Sequence, residues 1–211
     1  MLRYLYADQL KDYPALRASM FRDRADQFAH RLGWEMQVDE QGWERDAYDA
    51  LNPLYVIWQR RDGLHGGSMR FLPTTGQTMV RDHFDELTQG TDIASPLIWE
   101  CTRFCLARGG APQVAGALML AGGELMRGFS LTHLIGVFDA RMVRIYRMIG
   151  SSPTVLGSSG AGRDKISVGL WEYAPAARAR VLQRAGISSA LSEHWFARAF
   201  GHSPRISQQA A

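Results

Sequence analysis

The N-terminal half sets charged residues among aromatic ones: Arg24, Phe28 and Trp34, then Glu44, Asp46 and Asp49, then Arg70, then Glu100 and Arg103. Arg70 and Glu100 are single charges inside otherwise apolar, strand-like stretches. A buried charge is costly unless it is paired. These two therefore need partners, unless they face solvent from half-exposed strands. Arginine suits planar anions such as carboxylates and phosphates. Carboxylates and aromatic faces suit cations. None of these residues is specific alone.

Elements must bring them together. The pattern predicts a first strand over 2–6. A helix starts at Asp12 and Pro14, as a capping side chain followed by proline in the first turn, and runs to Leu32 with Gly33 as its cap. Residues 34–48 read as loop. Strands over 54–59 and 67–72 form a hairpin about Asp62-Gly63, and 84–87 is a short helical turn. The central strand covers 97–106. A helix over 113–127, small and apolar all round, should be buried. A strand over 132–138, a helix over 140–148, a Gly/Ser-rich loop over 151–162 with a short strand near Val155, a strand over 166–173 and a helix over 175–185 follow. The tail from about 203 is polar. This order implies a single α/β domain over 1–211, with one mixed sheet covered on both faces.

Composition narrows the class. The 211 residues are 46% hydrophobic and 21% charged, which excludes a disordered or collagen-like chain, and are enough to bury a core without staples. Of 24 basic residues only Lys11 and Lys165 are lysines. The net charge of +3 conceals an acidic first half (1–105, net −4) and a basic second half (106–211, net +7), which suggests an anionic partner for the latter. There is no block of five like charges, zinc-finger spacing or RNP-type motif, so nucleic acid is disfavoured. Cys101 and Cys105 lie too close for a useful disulfide, and His and Cys never cluster as metal ligands. The longest uncharged runs, 109–123 and 148–162, are too short and too rich in Gly, Ser or Pro to span a membrane. No signal peptide is expected before the first strand. The expectation is a soluble cytoplasmic protein with free thiols, no metal and no membrane span.

Five segments match one family in order and spacing: FRDRADQF at 21–28, RLGW at 31–34, ERDAYD at 44–49, MRFLPTT at 69–75 and WECTRF at 99–104. They resemble the acyl-homoserine-lactone synthases of bacterial quorum sensing, over roughly residues 1–150. The resemblance implies an N-acetyltransferase-like fold, a three-layer αβα sandwich whose mixed sheet splays to hold a pantetheine arm. It also implies the reaction. An acyl group carried as a thioester, on acyl carrier protein or CoA, is joined to the amine of S-adenosyl-L-methionine, and lactonisation then expels methylthioadenosine. S-adenosyl-L-methionine is a substrate, and no cofactor is implied.

By this resemblance Arg24, Phe28, Trp34, Asp46, Asp49, Arg70, Phe84, Glu100 and Arg103 take the family's invariant positions, with Phe104 alongside as a substrate contact. The carboxylates Asp46 and Asp49 and the rings of Phe28 and Trp34 suit a sulfonium, and an arginine suits the substrate carboxylate. A general base must take the amine's proton. Glu100 is the first choice, because burial would raise its pKa, and Asp46 the second; Arg103 completes the catalytic set. Arg24, Asp46 and Asp49 have an alternative role, tying the N-terminal loop to the sheet by ion pairs. Glu100 and Arg103, three apart on a strand, face one site only if a β-bulge lies between them.

The chain also departs from the family. Cys101-Thr102 replaces Leu-Ser before the strand arginine, and Thr78-Met79-Val80 replaces aromatic-Met-Leu. Gly136 and Phe138 stand where 3-oxoacyl producers often have Thr, which argues against a 3-oxo chain. Leu118, Met119, Met126, Phe138, Met142 and Tyr146 are the expected acyl pocket. Arg141, Arg144 and Arg147, together on one helix, are the expected docking site for an acidic carrier protein. The rival readings are a CoA-dependent synthase, a generic acetyl-CoA-dependent N-acetyltransferase and a binding protein on a dead scaffold. Against the second, Arg108-Gly109-Gly110-Ala111-Pro112 is glycine-rich but out of register for a pyrophosphate loop.

Overall fold

The computed structural model describes residues 1–111 and 113–201. The tail expected from about 203 lies outside them. The elements in chain order are β1 (Leu2–Tyr6), α1 (Pro14–Ala25), β2 (Leu54–Gln59), β3 (His65–Pro73), α2 (Met79–His83), β4 (Ile98–Leu106), α3 (Gln113–Gly128), β5 (His133–Asp139), α4 (Ala140–Ile149), β6 (Thr154–Ser159), β7 (Ile166–Glu172), α5 (Pro175–Ala185) and α6 (Ser189–Phe200).

All seven strands form one mixed sheet in the order β1-β2-β3-β4-β5-β7-β6. Its period-two pattern divides the core. On β2, Leu54 and Val56 pack into the cluster under α3, α5 and α6, while Tyr55 and Ile57 pack under α1 with Leu16, Met20 and Phe21. Burying each such side chain contributes roughly 1.5–3 kcal/mol, so both helical layers are held by the strand alternation. The three-layer αβα sandwich expected from the sequence is what the chain forms.

Two departures from regular pairing shape the centre. β4 and β5 are parallel neighbours, but their register covers only Ile98–Glu100 against His133–Ile135. Beyond that the strands part. Gly136 lies at the parting, where a Cβ would come within 2.7 Å of the Cys101 carbonyl oxygen. The second departure is in β4 itself. Ser68 pairs with Cys105 and Arg70 with Thr102, so β4 carries one extra residue between those pairs. Arg103 absorbs it with φ +54°, a left-handed conformation that is uncommon for a residue with a side chain. This is the bulge that the spacing of Glu100 and Arg103 requires.

Several boundaries differ from the sequence expectations. Asp12 does not cap α1; it ends a short 3-10 turn, and Tyr13 occupies the cap position without a side-chain bond. The helix expected to reach Leu32 changes to π-helix over Asp26–Arg31. Residues 154–159, expected mainly as loop, form β6, an exposed edge strand whose Gly157 packs against the Leu87 carbonyl. Helices α2 and α6 were not anticipated. Ser188 caps α6, and Trp195 and Phe196 anchor it on Trp58 and Tyr4. Among the described residues no helix is long and apolar enough to cross a membrane.

Candidate active site

Three arginines from three different elements converge on three carboxylates from one loop. Arg24 of α1 donates through Nε to Glu44 Oε2 at 2.6 Å and grips both oxygens of Asp49 at 2.9 Å. Arg70 of β3 binds both oxygens of Asp46, reaches Asp49 Oδ1 at 2.9 Å, and donates through Nε to Thr102 Oγ1 at 3.0 Å. Arg103, turned by the bulge, donates to Glu44 Oε1 at 3.0 Å and to Asp46 Oδ2 at 2.6 Å through Nη2. Forked guanidinium–carboxylate pairs of this kind fix geometry as well as charge. Asp46 also caps the 3-10 turn Ala47–Ala50, with Asp49 answering from the far end as a capping box. The loop that carries the acids is thereby fixed to the sheet.

Burial sorts the members. Arg24, Glu44 and Arg70 are closed off from solvent, whereas Arg103 and Asp46 remain 10% and 19% exposed. Burial disfavours the charged form of Arg24, but Asp49 and Glu44 outweigh it and hold the guanidinium charged. For Asp49, burial pushes the pKa up, but Arg24 and Arg70 overcome this and keep the carboxyl well below its ordinary value.

A depressed carboxylate contributes stability that is complete above its unfolded pKa of about 4 and is lost as pH falls through the folded value. The denaturation midpoint of this protein is therefore expected to hold steady above about pH 5 and to fall steeply below about pH 4. Asp49→Asn should lower the plateau and flatten that acid limb, as read by urea melts across pH.

In front of this frame lies an open cavity of about 820 Å³. Its wall includes Asp46, Arg103, Phe28, Trp34, Met79, Phe84 and Met142. Phe28 and Trp34 stack at 5.4 Å, and the Arg103 guanidinium lies 5.6 Å from the Phe28 centroid. Arg103 Nη1 donates toward Met79 Sδ at 3.9 Å and, among the described residues, to no other acceptor, which leaves an N–H for a ligand. Behind the sheet lies a smaller apolar cavity of about 90 Å³, lined by Met69, Cys101, Met119, Gly123, Met126, Gly136 and Trp171 among others. The two cavities share Phe104, Val137 and Tyr146, beside the gap where β4 and β5 part.

The expected site residues thus separate. Asp46, Arg103, Phe28, Trp34, Phe84 and Phe104 face the larger cavity. Arg24, Asp49 and Arg70 do not line it; they form the ion-paired frame behind its wall. Glu100, the first-choice base, does not line it either. It is 1% exposed, and its oxygens accept the Val80 N–H at 2.6 Å and the Met79 N–H at 3.0 Å. Burial does raise its pKa, as expected, against the lowering effect of those bonds. Of the expected acyl pocket, Met119, Met126 and Tyr146 line the apolar cavity; Phe138 and Met142 line the charged one, which Tyr146 also reaches. Leu118 lines neither and is core, because it sits on the sheet-facing side of α3. Arg141, Arg144 and Arg147 are exposed on α4.

Two contributors had no role assigned from the sequence. Glu44, fully buried, bridges Arg24 and Arg103; its place in the ERDAYD segment was the available signal. Gln27 donates to the Phe104 carbonyl and accepts the Leu106 N–H, satisfying backbone groups of β4 beyond the parting. Nothing in the sequence signals that role.

The mixed sheet is parted at its centre, with an apolar cavity behind the gap and a charged cavity before it. The fold is shared with a structure described as an N-acetyltransferase of Lactobacillus plantarum, at TM-score 0.54 and 17% identity over 82% of this chain and 98% of that one. It is shared more closely with the CoA-dependent acyl-homoserine lactone synthase MesI, at TM-score 0.79 and 25% identity over 90% of this chain and 98% of that one. Fold and site together define an acyltransferase. The family model described as autoinducer synthase matches residues 8–184. The acyl-homoserine-lactone synthase of Rhizobium etli is 42% identical over 179 residues, covering 82% of this chain and 84% of that protein. The chain belongs to the autoinducer synthase family and is an acyl-homoserine-lactone synthase.

Proposed function

We propose that S-adenosyl-L-methionine occupies the charged cavity and that the acyl chain enters the apolar one through the gap between β4 and β5. The carrying observation is that the two cavities meet at Phe104, Val137 and Tyr146 beside that gap. The exposed ring of Trp34 offers a face to the adenine. The remaining N–H of Arg103 Nη1 suits the substrate carboxylate, and Asp46, the most exposed carboxylate of the ion frame, suits the sulfonium and the amine. The thioester carbonyl then lies at the parting, where backbone N–H groups without a ladder partner can face its developing oxyanion.

In the first step the ammonium gives up a proton to Asp46, directly or through one water. The nitrogen attacks the carbonyl carbon, the N–C bond forms, the C–S bond breaks, and the thiol leaves. In the second the carboxylate oxygen attacks the γ-carbon of the methionyl chain, the carbon bonded to the sulfonium, closing the five-membered lactone as that C–S⁺ bond breaks and methylthioadenosine departs. Glu100 is a positioning residue in this scheme. It holds the first turn of α2, and Met79 of that turn stands at the cavity wall beside Arg103. Gly136, required by its approach to Cys101, leaves no hydroxyl for a 3-oxo group, which favours an acyl chain without one.

We assign acyl carrier protein as the donor. Arg141, Arg144 and Arg147 share the exposed face of α4 with Val143 and Met148, a basic and apolar surface suited to an acidic carrier. CoA is the second reading, favoured by the likeness to MesI. The free thiols Cys101 and Cys105 support a cytoplasmic location.

Purified enzyme with S-adenosyl-L-methionine and either donor should release a lactone whose ring fragment and acyl mass are read by mass spectrometry. Full turnover with acyl-CoA and none with the carrier protein would reverse the donor assignment; no lactone from either would overturn the reading. Asp46→Asn should lower kcat by about a hundredfold, the low end for general bases, because water can take the proton in its place. Wild-type kcat in that variant would remove Asp46 from the mechanism.

A further inference from the structure

Helix α3 carries two adjacent glycines in its interior, Gly122 and Gly123. Each weakens a helix relative to alanine, so each needs a reason. Packing supplies one for the other glycines of this helix. A Cβ on Gly116 would sit 3.1 Å from Ala185 of α5, one on Gly122 would sit 3.3 Å from Leu134, and one on Gly128 would fall 2.0 Å from the Phe196 ring. A Cβ on Gly123 would meet nothing within 4 Å, and its backbone has no positive φ to demand glycine. What Gly123 does have is position. It stands four residues after Met119 and three before Met126, on the face of α3 that walls the apolar cavity, and it lines that cavity itself.

We propose that Gly123 sets the length of acyl chain this enzyme accepts, the space of its missing side chain being filled by the distal methylenes of the substrate. The inference rests on the apolar cavity being the acyl slot. That cavity holds only about 90 Å³, so each methyl group added at 123 removes a substantial part of it. Met119 and Met126 beside it are flexible and can adapt around a chain. The backbone carbon of a helical glycine cannot yield, so the limit it sets is sharp.

The test is a graded series, Gly123→Ala, Gly123→Val and Gly123→Leu, each assayed with S-adenosyl-L-methionine and straight-chain acyl thioesters of increasing length. The readout is the ratio of kcat/KM for long over short chains. It should fall by about tenfold or more at each step, the scale of one methylene in an apolar pocket. Gly123→Ala should unfold at the same temperature as the parent or higher, since alanine favours the helix. A merely structural glycine would instead lose stability and leave the ratio unmoved. Met126→Phe, on the same wall, separates the two levels of the argument. If Met126→Phe shifts the ratio and the folded Gly123 series does not, the assignment of Gly123 is wrong. If neither shifts it, the apolar cavity is not the acyl slot and the broader reading falls with it.

Discussion

Arg103→Gly is expected to reduce kcat/KM for lactone formation by about a thousandfold while leaving a folded protein, the upper range for loss of a charged donor aimed at reacting groups. Both halves follow from the geometry. Arg103 presents the guanidinium with free donors to the charged cavity, and it holds Asp46 Oδ2 at 2.6 Å. Its removal takes away a substrate contact and releases the candidate base together. Yet it isolates no carboxylate, because Glu44 keeps Arg24 and Asp46 keeps Arg70. Glycine also accepts φ +54° freely, where a residue with a Cβ is strained by roughly 1–2 kcal/mol. That relief offsets part of the lost pairing. Arg103→Lys should remain impaired by about tenfold or more despite its charge, because an ammonium cannot fork across Glu44 and Asp46. Lactone yield, circular dichroism and a urea midpoint measure the two halves separately. Activity within tenfold of the parent in Arg103→Gly would falsify the assignment.

Arg24→Met carries the opposite expectation, a large loss of stability. Arg24 is 1% exposed and serves two buried acids, Glu44 and Asp49. Methionine leaves three carboxylates facing two guanidinium groups, with Glu44 and Asp49, the two acids it abandons, shielded from water. Breaking a buried pair in this way costs about 3–5 kcal/mol, against a total stability of about 5–15 kcal/mol for an ordinary domain. The variant should show a much lower urea midpoint. Adding Asp49→Asn removes the excess negative charge, so the double variant should be more stable than the sum of the two single losses, by about 1–3 kcal/mol. Strict additivity would mean that Arg24 acts through packing alone. Two arginines of one network thus differ in kind: one is read in turnover, the other in stability.

That difference was not legible in the sequence. Arg24, Arg70 and Arg103 are alike as residues, and the resemblance places all three at invariant positions. Burial decides among them, and burial follows from sheet order. The same holds for the acids. Glu100 stood out as a lone carboxyl in an apolar strand, and it is indeed buried with its pKa raised. But the first turn of α2 closes over its oxygens, and that five-residue helix is too short to leave a periodic signal. Asp46, in an irregular loop, is the most exposed carboxylate of the ion-paired frame on the cavity wall, which Glu44 of the same loop also lines. The missed α6 had a signal in Ser188 and the spacing of Leu191, Trp195 and Phe196; β6, exposed at the sheet edge, had little.

By itself the sequence determined the class of the protein. Five short segments at matching gaps identify the family, and the order of strands and helices, with the apolar run of α3, implies a sheet covered on both faces. It also set a condition, that Glu100 and Arg103 cannot share a face without a bulge, because strand side chains alternate strictly. The tertiary structure decided how that condition was met and to what end. One extra residue in β4 turns Arg103 toward a loop some 59 positions away in the chain, and beside the parting of β4 from β5 the two cavities share a wall at Phe104, Val137 and Tyr146. Periodicity records which face a side chain takes along its own element. Which charges meet across elements depends on register and strand order, and only the folded sheet fixes those.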